Sequence, residues 1–227
     1  MGQGVYTALP MLVAEEMDVP LAQVRAVQAP IDAIFGNVAM LTASLPFHPD
    51  NVDGSGSRAA QWFVAKLARE LGLQVTGGSS SVRDAWMPMR EAGAAARAML
   101  VSAAARQWGV AVGECVVEAG VVRHGSGKQA RFGELVQSLN DVPVPSSVSL
   151  KDPAQFRLIG TPAARLDTPG KVDGSARFGT DVRLPGMLHA VVRLCPVPGG
   201  QIAQIDSSEA MKQPGVVKVA TCDAMAG

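Results

Sequence analysis

The chain has 227 residues, 48% of them hydrophobic and 18% charged, which is enough to bury a core and excludes a disordered composition. Twenty basic residues balance twenty acidic ones, and aromatics make up only 4%, so neither a phosphate-neutralising surface nor a base-stacking platform is indicated and no nucleic-acid partner is expected. The three cysteines, Cys115, Cys195 and Cys222, are too scattered for a zinc knuckle, an iron–sulfur cluster or a disulfide framework, and read as buried small apolar residues.

The first element is a helix over 5–17, with Val5, Leu9, Leu12 and Val13 on one face and Pro10 inside the pattern. Residues 21–29 alternate apolar and polar and predict a half-buried strand. Residues 44–58, rich in Pro, Asp, Gly and Ser, read as a surface loop, followed by a helix over 59–72 that Gly72 stops. After the run GGSSSVR at 77–83, a long Ala- and Met-rich helix is predicted from Asp84 to Trp108, ended by Gly109. Two tight turns, Ala119-Gly120 and GSGK at 125–128, divide residues 114–132 into hairpins. The proline-rich stretch 142–165 reads as a linker. Beyond it, strands are predicted over 188–194 and 216–221, with a helix over 206–213 capped by Asp206 and carrying Glu209 three residues on.

Two glycine turns carry the chemistry. GQG at 2–4 opens the first helix, where free backbone N–H groups make an anion cradle and Gln3 adds a donor and an acceptor; an ordinary glycine turn is the plainer reading. At 77–83, Gly77 and Gly78 permit close backbone approach, Ser79, Ser80 and Ser81 offer hydroxyls, and the helix directs its positive end there. Arg83 is placed to pair with a phosphate or with Asp84. A simple serine N-cap is the alternative. GSGK lacks the spacing of a phosphate-binding P-loop and reads as a hairpin turn. A serine hydrolase is disfavoured: Ser81 stands where a nucleophile elbow needs glycine, and His48, His124 and His189 have no neighbouring acid signature. The same histidines show no metal-ligand spacing.

Together, MGQGVYTALPMLVAEEMDV and TGGSSSVRDAWMPMREAGAAARAML resemble two pterin-contacting loops of molybdenum hydroxylases of the xanthine oxidase type, and residues 165–220 resemble the α/β hammerhead domain of that family. The order, with the hammerhead after part of the pterin-binding region, is similar to the large (beta) subunit of isoquinoline 1-oxidoreductase and its relatives. The resemblance implies an α/β (α+β) fold with a partial molybdopterin-binding domain over 1–141, a linker over 142–164 and a truncated hammerhead over 165–227. It implies a molybdopterin cytosine dinucleotide cofactor contacted by Gly2, Gln3 and Gly4 and by Ser79, Ser80, Ser81, Val82 and Arg83. It also implies a small-molecule substrate, either an N-heteroaromatic ring or an aldehyde, that receives water-derived oxygen. Two [2Fe–2S] clusters are expected on a separate small iron–sulfur subunit. A further GGFGGR-type loop and the segment bearing the family's catalytic glutamate have no counterpart here; Glu15 and Glu16 read as surface or packing residues. No catalytic or metal-ligating residue is therefore assigned, and the chain is expected to be an N-terminal portion, inactive without the rest of the large subunit. Its Ala-rich helix is then the expected exposed docking face. No export signal is present, which leaves periplasm and cytoplasm both open. A non-catalytic interaction module, in which the loops only cap helices, is the rival reading. The two readings differ in whether residues 2–4 and 79–83 converge.

Overall fold

The structure, a computed structural model, describes residues 4–30, 32–72 and 77–221. Helix α1 spans Val5–Met17, as its apolar spacing predicts. Gly4, at φ 79°, turns the chain into it and accepts the N–H groups of Thr7 and Ala8. Asp18, left-handed at φ 56°, closes its far end. The strand predicted over 21–29 does not form. A short 3-10 turn, Leu21–Gln23, leads into an extended stretch in which Val24 and Ala26 are half-buried and Arg25 and Val27 exposed. The alternation is real, but no described strand pairs with it.

Helix α2 covers Ala39–Ala43, and α3 covers Ser55–Glu70. The latter begins inside the predicted loop, because Arg58 N–H donates to Gly54 O at 2.9 Å and Ser57 Oγ donates to Asn51 O at 2.7 Å, so the Gly-Ser run becomes its first turn. Helix α4 runs 29 residues, Ser80–Trp108, and Gly109 ends it at φ 67°. It too starts four residues before the predicted Asp84, which places Ser80 to Arg83 in its first turn.

Glycine lets α1 and α4 touch. A Cβ on Gly93 would lie 2.8 Å from Val13 O and 3.0 Å from Glu16 Cβ, so only a bare Cα fits this crossing. Farther along α4, Leu100 and Ala104 join the core that Met17 and Val19, at the end of α1, also touch. The two helices thus advance in the same sense.

Three short strands, β1 (Cys115–Glu118), β2 (Val121–His124) and β3 (Gln129–Arg131), form an antiparallel meander in the order β1-β2-β3. Ala119 and Gly120, at φ 49° and 77°, make the first predicted turn with the twist that suits a two-residue hairpin. GSGK makes the second, with His124 N–H donating to Lys128 O at 2.9 Å. Helix α5 (Phe132–Leu135) follows. Phe132 and Leu135 pack with Val122, Leu100 and Ala104 into the main hydrophobic cluster.

The chain divides into two compact units, residues 1–176 and 177–227. Helix α6 (Thr168–Val172) lies in the first and α7 (Ser208–Met211) in the second. Asp206 accepts the Ser208 N–H at 2.9 Å, as a cap would, while Glu209 pairs with Lys212 at 2.6 Å instead of closing a capping box. The strands predicted over 188–194 and 216–221 do not form, and no described residue there joins a ladder. From 177 to 221 no described residue is buried, and Val191 is 98% exposed. Alternation specifies a face, but a strand also needs neighbours and a core to lie against. The described residues are therefore mixed α and β, helices with one small three-stranded sheet.

Candidate functional site

Gly2 and Gln3 lie outside the described residues, so the first glycine turn is represented by Gly4. A Cβ there would meet nothing within 4 Å. The second turn is described from Gly77. Gly78 is left-handed at φ 53° with open space where a Cβ would stand, whereas one on Gly77 would press to 2.9 Å from Met40 Sδ. Ser79 is the N-cap of α4, left-handed at φ 61°, and its side chain caps nothing. It is the exposed member of the three serines. Ser80 is 5% exposed and its hydroxyl is engaged, accepting from Asn37 Nδ2 at 3.0 Å and Gly77 N–H at 3.3 Å. Ser81 and Val82 are half-buried in the first turn, and Asn37 Nδ2 also reaches Ser81 Oγ at 3.4 Å. Arg83 is exposed and helical. It forms no ion pair with Asp84, whose carboxylate instead accepts the Val38 N–H at 3.2 Å and faces Arg69 at 3.5 Å. Three free hydroxyls in a loop are thus replaced by one exposed serine, two serines built into a helix start, and an asparagine bracing them. Asn37 carried no local signal, since its partners Ser80 and Ser81 lie more than forty residues away, and Asp84 is fixed by Val38, 46 residues off, as well as by Arg69.

At the other end of α1 lies a charged cluster. Glu15 and Glu16 are 1% and 0% exposed, which decides between the surface and packing readings in favour of packing. Glu15 Oε2 accepts the backbone N–H groups of Arg157, Leu158 and Ile159 at 2.9, 2.7 and 3.1 Å, and Oε1 faces Lys151 Nζ at 3.3 Å. Glu16 accepts from Arg90 Nε at 2.8 Å and Lys151 N–H at 3.0 Å. Asp18 takes Lys151 Nζ at 2.8 Å and Ala119 N–H at 3.2 Å. Arg90 also donates to Lys151 O at 2.7 Å, and its guanidinium lies over the rings of Trp86 and Phe156. Burial pushes the Glu15 pKa up, but the three backbone donors and Lys151 outweigh it and hold it below the ordinary value. Burial likewise opposes Asp18, where the bond and charge of Lys151 prevail and lower it. These acids are satisfied and hold residues 151–159 against α1 and α4.

The Ala-rich helix is not the expected exposed face. Arg90, Gly93, Ala94, Leu100, Ala103, Ala104 and Ala105 of α4 are buried. The exposed apolar side chains of the first unit concentrate on α3, where Trp62 is 64% and Phe63 62% exposed. The serine–histidine contact that a hydrolase would need near Ser79–Ser81 is not found among the described residues. His124 does have an acid beside it, Glu114 at 3.4 Å, and Ser126 Oγ at 2.8 Å, but the Ser126 N–H points at the same ring nitrogen, the geometry of a closed turn. Cys195 is exposed and Cys115 half-buried, against the expectation of buried cysteines; Cys222 lies outside the described residues. Among the described residues no group of three or more His, Cys, Asp or Glu side chains could hold a metal ion, and no helix is long and apolar enough to cross a membrane.

No family model matches the chain. Three characterised proteins do. The beta subunit of the isoquinoline 1-oxidoreductase of Brevundimonas diminuta is 32% identical over 95% of this chain and 28% of its own. The membrane-bound aldehyde dehydrogenase [pyrroloquinoline-quinone] of Gluconacetobacter polyoxogenes is 30% identical over 98% of this chain and 25% of its own. The B subunit of the nicotinate dehydrogenase of Pseudomonas putida is 28% identical over 96% of this chain and 16% of its own. The chain thus spans between 16% and 28% of the length of these relatives. Matched almost end to end at 28–32% identity, the chain is similar to a segment of each of these proteins, as a member of the molybdenum hydroxylase family would be.

Proposed function

We propose that the chain is part of the molybdopterin-binding large subunit of an oxidoreductase that hydroxylates N-heteroaromatic or aldehyde substrates with water-derived oxygen. The observation that carries this reading is the pairing of two open glycine turns with two helices that advance in the same sense. Gly4 opens α1 and Gly78-Ser79 opens α4, each left-handed and with room for a ligand against its backbone. Helix starts present N–H groups and a positive dipole end, which suit the pyrophosphate of a dinucleotide. The cofactor fits this arrangement better than a plain serine cap does, because Ser79 caps nothing and Gly78 leaves its space empty.

In this reading Gly2, Gln3 and Gly4 contact the molybdopterin cytosine dinucleotide from one side, and Ser79, Ser80, Ser81, Val82 and Arg83 from the other. Ser79 and Arg83 do so through exposed side chains. Ser80 acts through position: braced by Asn37, it fixes the first turn of α4 and hence the direction of its N–H groups. When bound, the cofactor supplies the molybdenum centre at which substrate is oxidised. Residues 1–141 and 165–227, joined by 142–164, would be the partial cofactor domain and the hammerhead. A small subunit with two [2Fe–2S] clusters and the rest of the large subunit would complete the enzyme, and the chain would not turn over alone. A purely structural interaction module is disfavoured, since the relatives are named as oxidoreductases over nearly this whole sequence.

The test is the molybdenum content and oxidised-pterin fluorescence of the purified protein expressed with cofactor supply. Parent protein should retain pterin, while Ser79→Glu, an exposed change that sets a charge against a phosphate, should lose most of it with unchanged circular dichroism. Recovery of an extractable quinone in place of a pterin, or full pterin content in Ser79→Glu, would overturn the assignment. Turnover by the chain alone, supplied with cofactor and an electron acceptor, would refute its dependence on other chains.

A further inference from the structure

Positions 58, 62, 66 and 70 of α3 follow one another at four-residue spacing and form a single ridge on the helix. They are Arg58, Trp62, Lys66 and Glu70, and all four are exposed. The neighbouring ridge is Ala59, Phe63, Leu67 and Leu71, also exposed, with Phe63 at 62% and Leu71 at 65%. Ser57 and Ala68, on the opposite side, are the helix's buried residues. Such an apolar ridge beside a charged one calls for a partner.

The charged ridge is complementary to itself read backwards. Laid end for end against a second α3, Arg58 meets Glu70 and Trp62 meets Lys66, and each pairing occurs twice about an axis level with residue 64. The cation-over-indole contact already occurs within one copy, where Lys66 Nζ stands 5.4 Å from the Trp62 ring centre. Glu70 makes no ion pair among the described residues, and Arg58 uses only its Nε, donating to Asp53 O. A recess of about 260 Å³ lined by Trp62, Ala65, Lys66, Arg69 and Glu70 lies beside the ridge, where an opposing indole would enter.

We infer that α3 is a self-association surface on which two copies of this chain pair antiparallel about a two-fold axis, as isologous contacts require. An anionic membrane surface fits less well. Asp50, Asp53 and Glu70 offset Arg58, Lys66 and Arg69, and Arg69 already faces Asp84.

Sedimentation equilibrium of the full chain over a wide concentration range tests this. A reversible dimer is expected. Arg58→Glu alone and Glu70→Arg alone should each weaken it by about tenfold, since two opposite-charge contacts become like-charge ones. The double swap Arg58→Glu/Glu70→Arg in the same chain should restore parental affinity, which general surface stickiness would not do. Phe63→Gln should abolish the dimer with the fold intact by circular dichroism. A monomer at every concentration, a double swap that fails to rescue, or binding to phosphatidylglycerol vesicles in place of self-association would each overturn the inference.

Discussion

Replacing Glu15 by glutamine isolates the charge of the carboxylate that ties residues 157–159 to α1. The side chain keeps its size, and one amide oxygen can still accept. What is lost is the negative charge shared by three backbone N–H groups at 2.7–3.1 Å and by Lys151 Nζ at 3.3 Å. Hydrogen bonds to a charged acceptor contribute about 1.5–3 kcal/mol each and neutral ones about half that. Trading charged for neutral bonds across this set, with Lys151 still held by Asp18, gives a loss of about 3 kcal/mol, a large share of a stability of roughly 5–15 kcal/mol. At about 2–4 °C per kcal/mol, the melting temperature should fall by about 6–12 °C. Urea unfolding followed by circular dichroism and tryptophan fluorescence measures it, with the exposed Glu91→Gln on α4 as the comparison that should change nothing. The pH dependence supplies a second reading. Because the folded-state pKa of Glu15 is depressed, its contribution is complete above the ordinary carboxylate range and disappears as pH falls through the lower folded value. Parent protein should therefore lose stability on acidification below about pH 4.5, and Glu15→Gln should lose less over the same interval. A variant within about 0.5 kcal/mol of the parent, or one with an unchanged acid profile, would refute the reasoning.

Gly93→Val should cost about 3 kcal/mol or more in the same unfolding assay, since its Cβ would press into Val13 O and Glu16 Cβ from 2.8 and 3.0 Å; a cost under about 1 kcal/mol would mean the helices do not cross there. Limited trypsin digestion should cut first at Arg177, Arg183 and Arg193, where no buried residue protects the backbone, and leave the first unit intact longer; simultaneous cleavage in α4 would contradict the burial pattern. In peptide-resolved thiol labelling, Cys195 should react well before Cys115, which is half-buried and whose thiol pKa is raised by burial and by Glu114; equal rates would count against it.

Elements whose determinants are local were legible in the sequence. The run of α1, the stops at Gly72 and Gly109, and the turn at Ala119-Gly120 follow from periodicity and from residues that tolerate positive φ. The starts of α3 and α4 were missed because serine and glycine look like loop residues until a hydroxyl finds its carbonyl, as Ser57 finds Asn51 O. The strands expected at 21–29 and 188–194 failed for want of a neighbour, a fact that no window of ten residues contains. The candidate site was legible in its glycines and in Ser79, but not in Asn37 or Asp84. Glu15 and Glu16 were legible only as surface or packing residues: a pair of acids on a helix cannot be told from a solvated edge unless Lys151 and Leu158 are known to be near.

The clasp on Glu15 has a bearing on biosynthesis. Its farthest ligand, the Ile159 N–H, comes 144 residues later in the chain. At about 5–20 residues per second, a ribosome takes roughly 7–30 seconds to deliver it after Glu15 is made. For that interval the Glu15 carboxylate lacks its donors, although Arg90 and α4, which engage Glu16 and the apolar face of α1, are made well before it ends. Slowing elongation in the codons for 151–159 should prolong that exposed interval and increase the recovery of nascent chains bound to holdase chaperones.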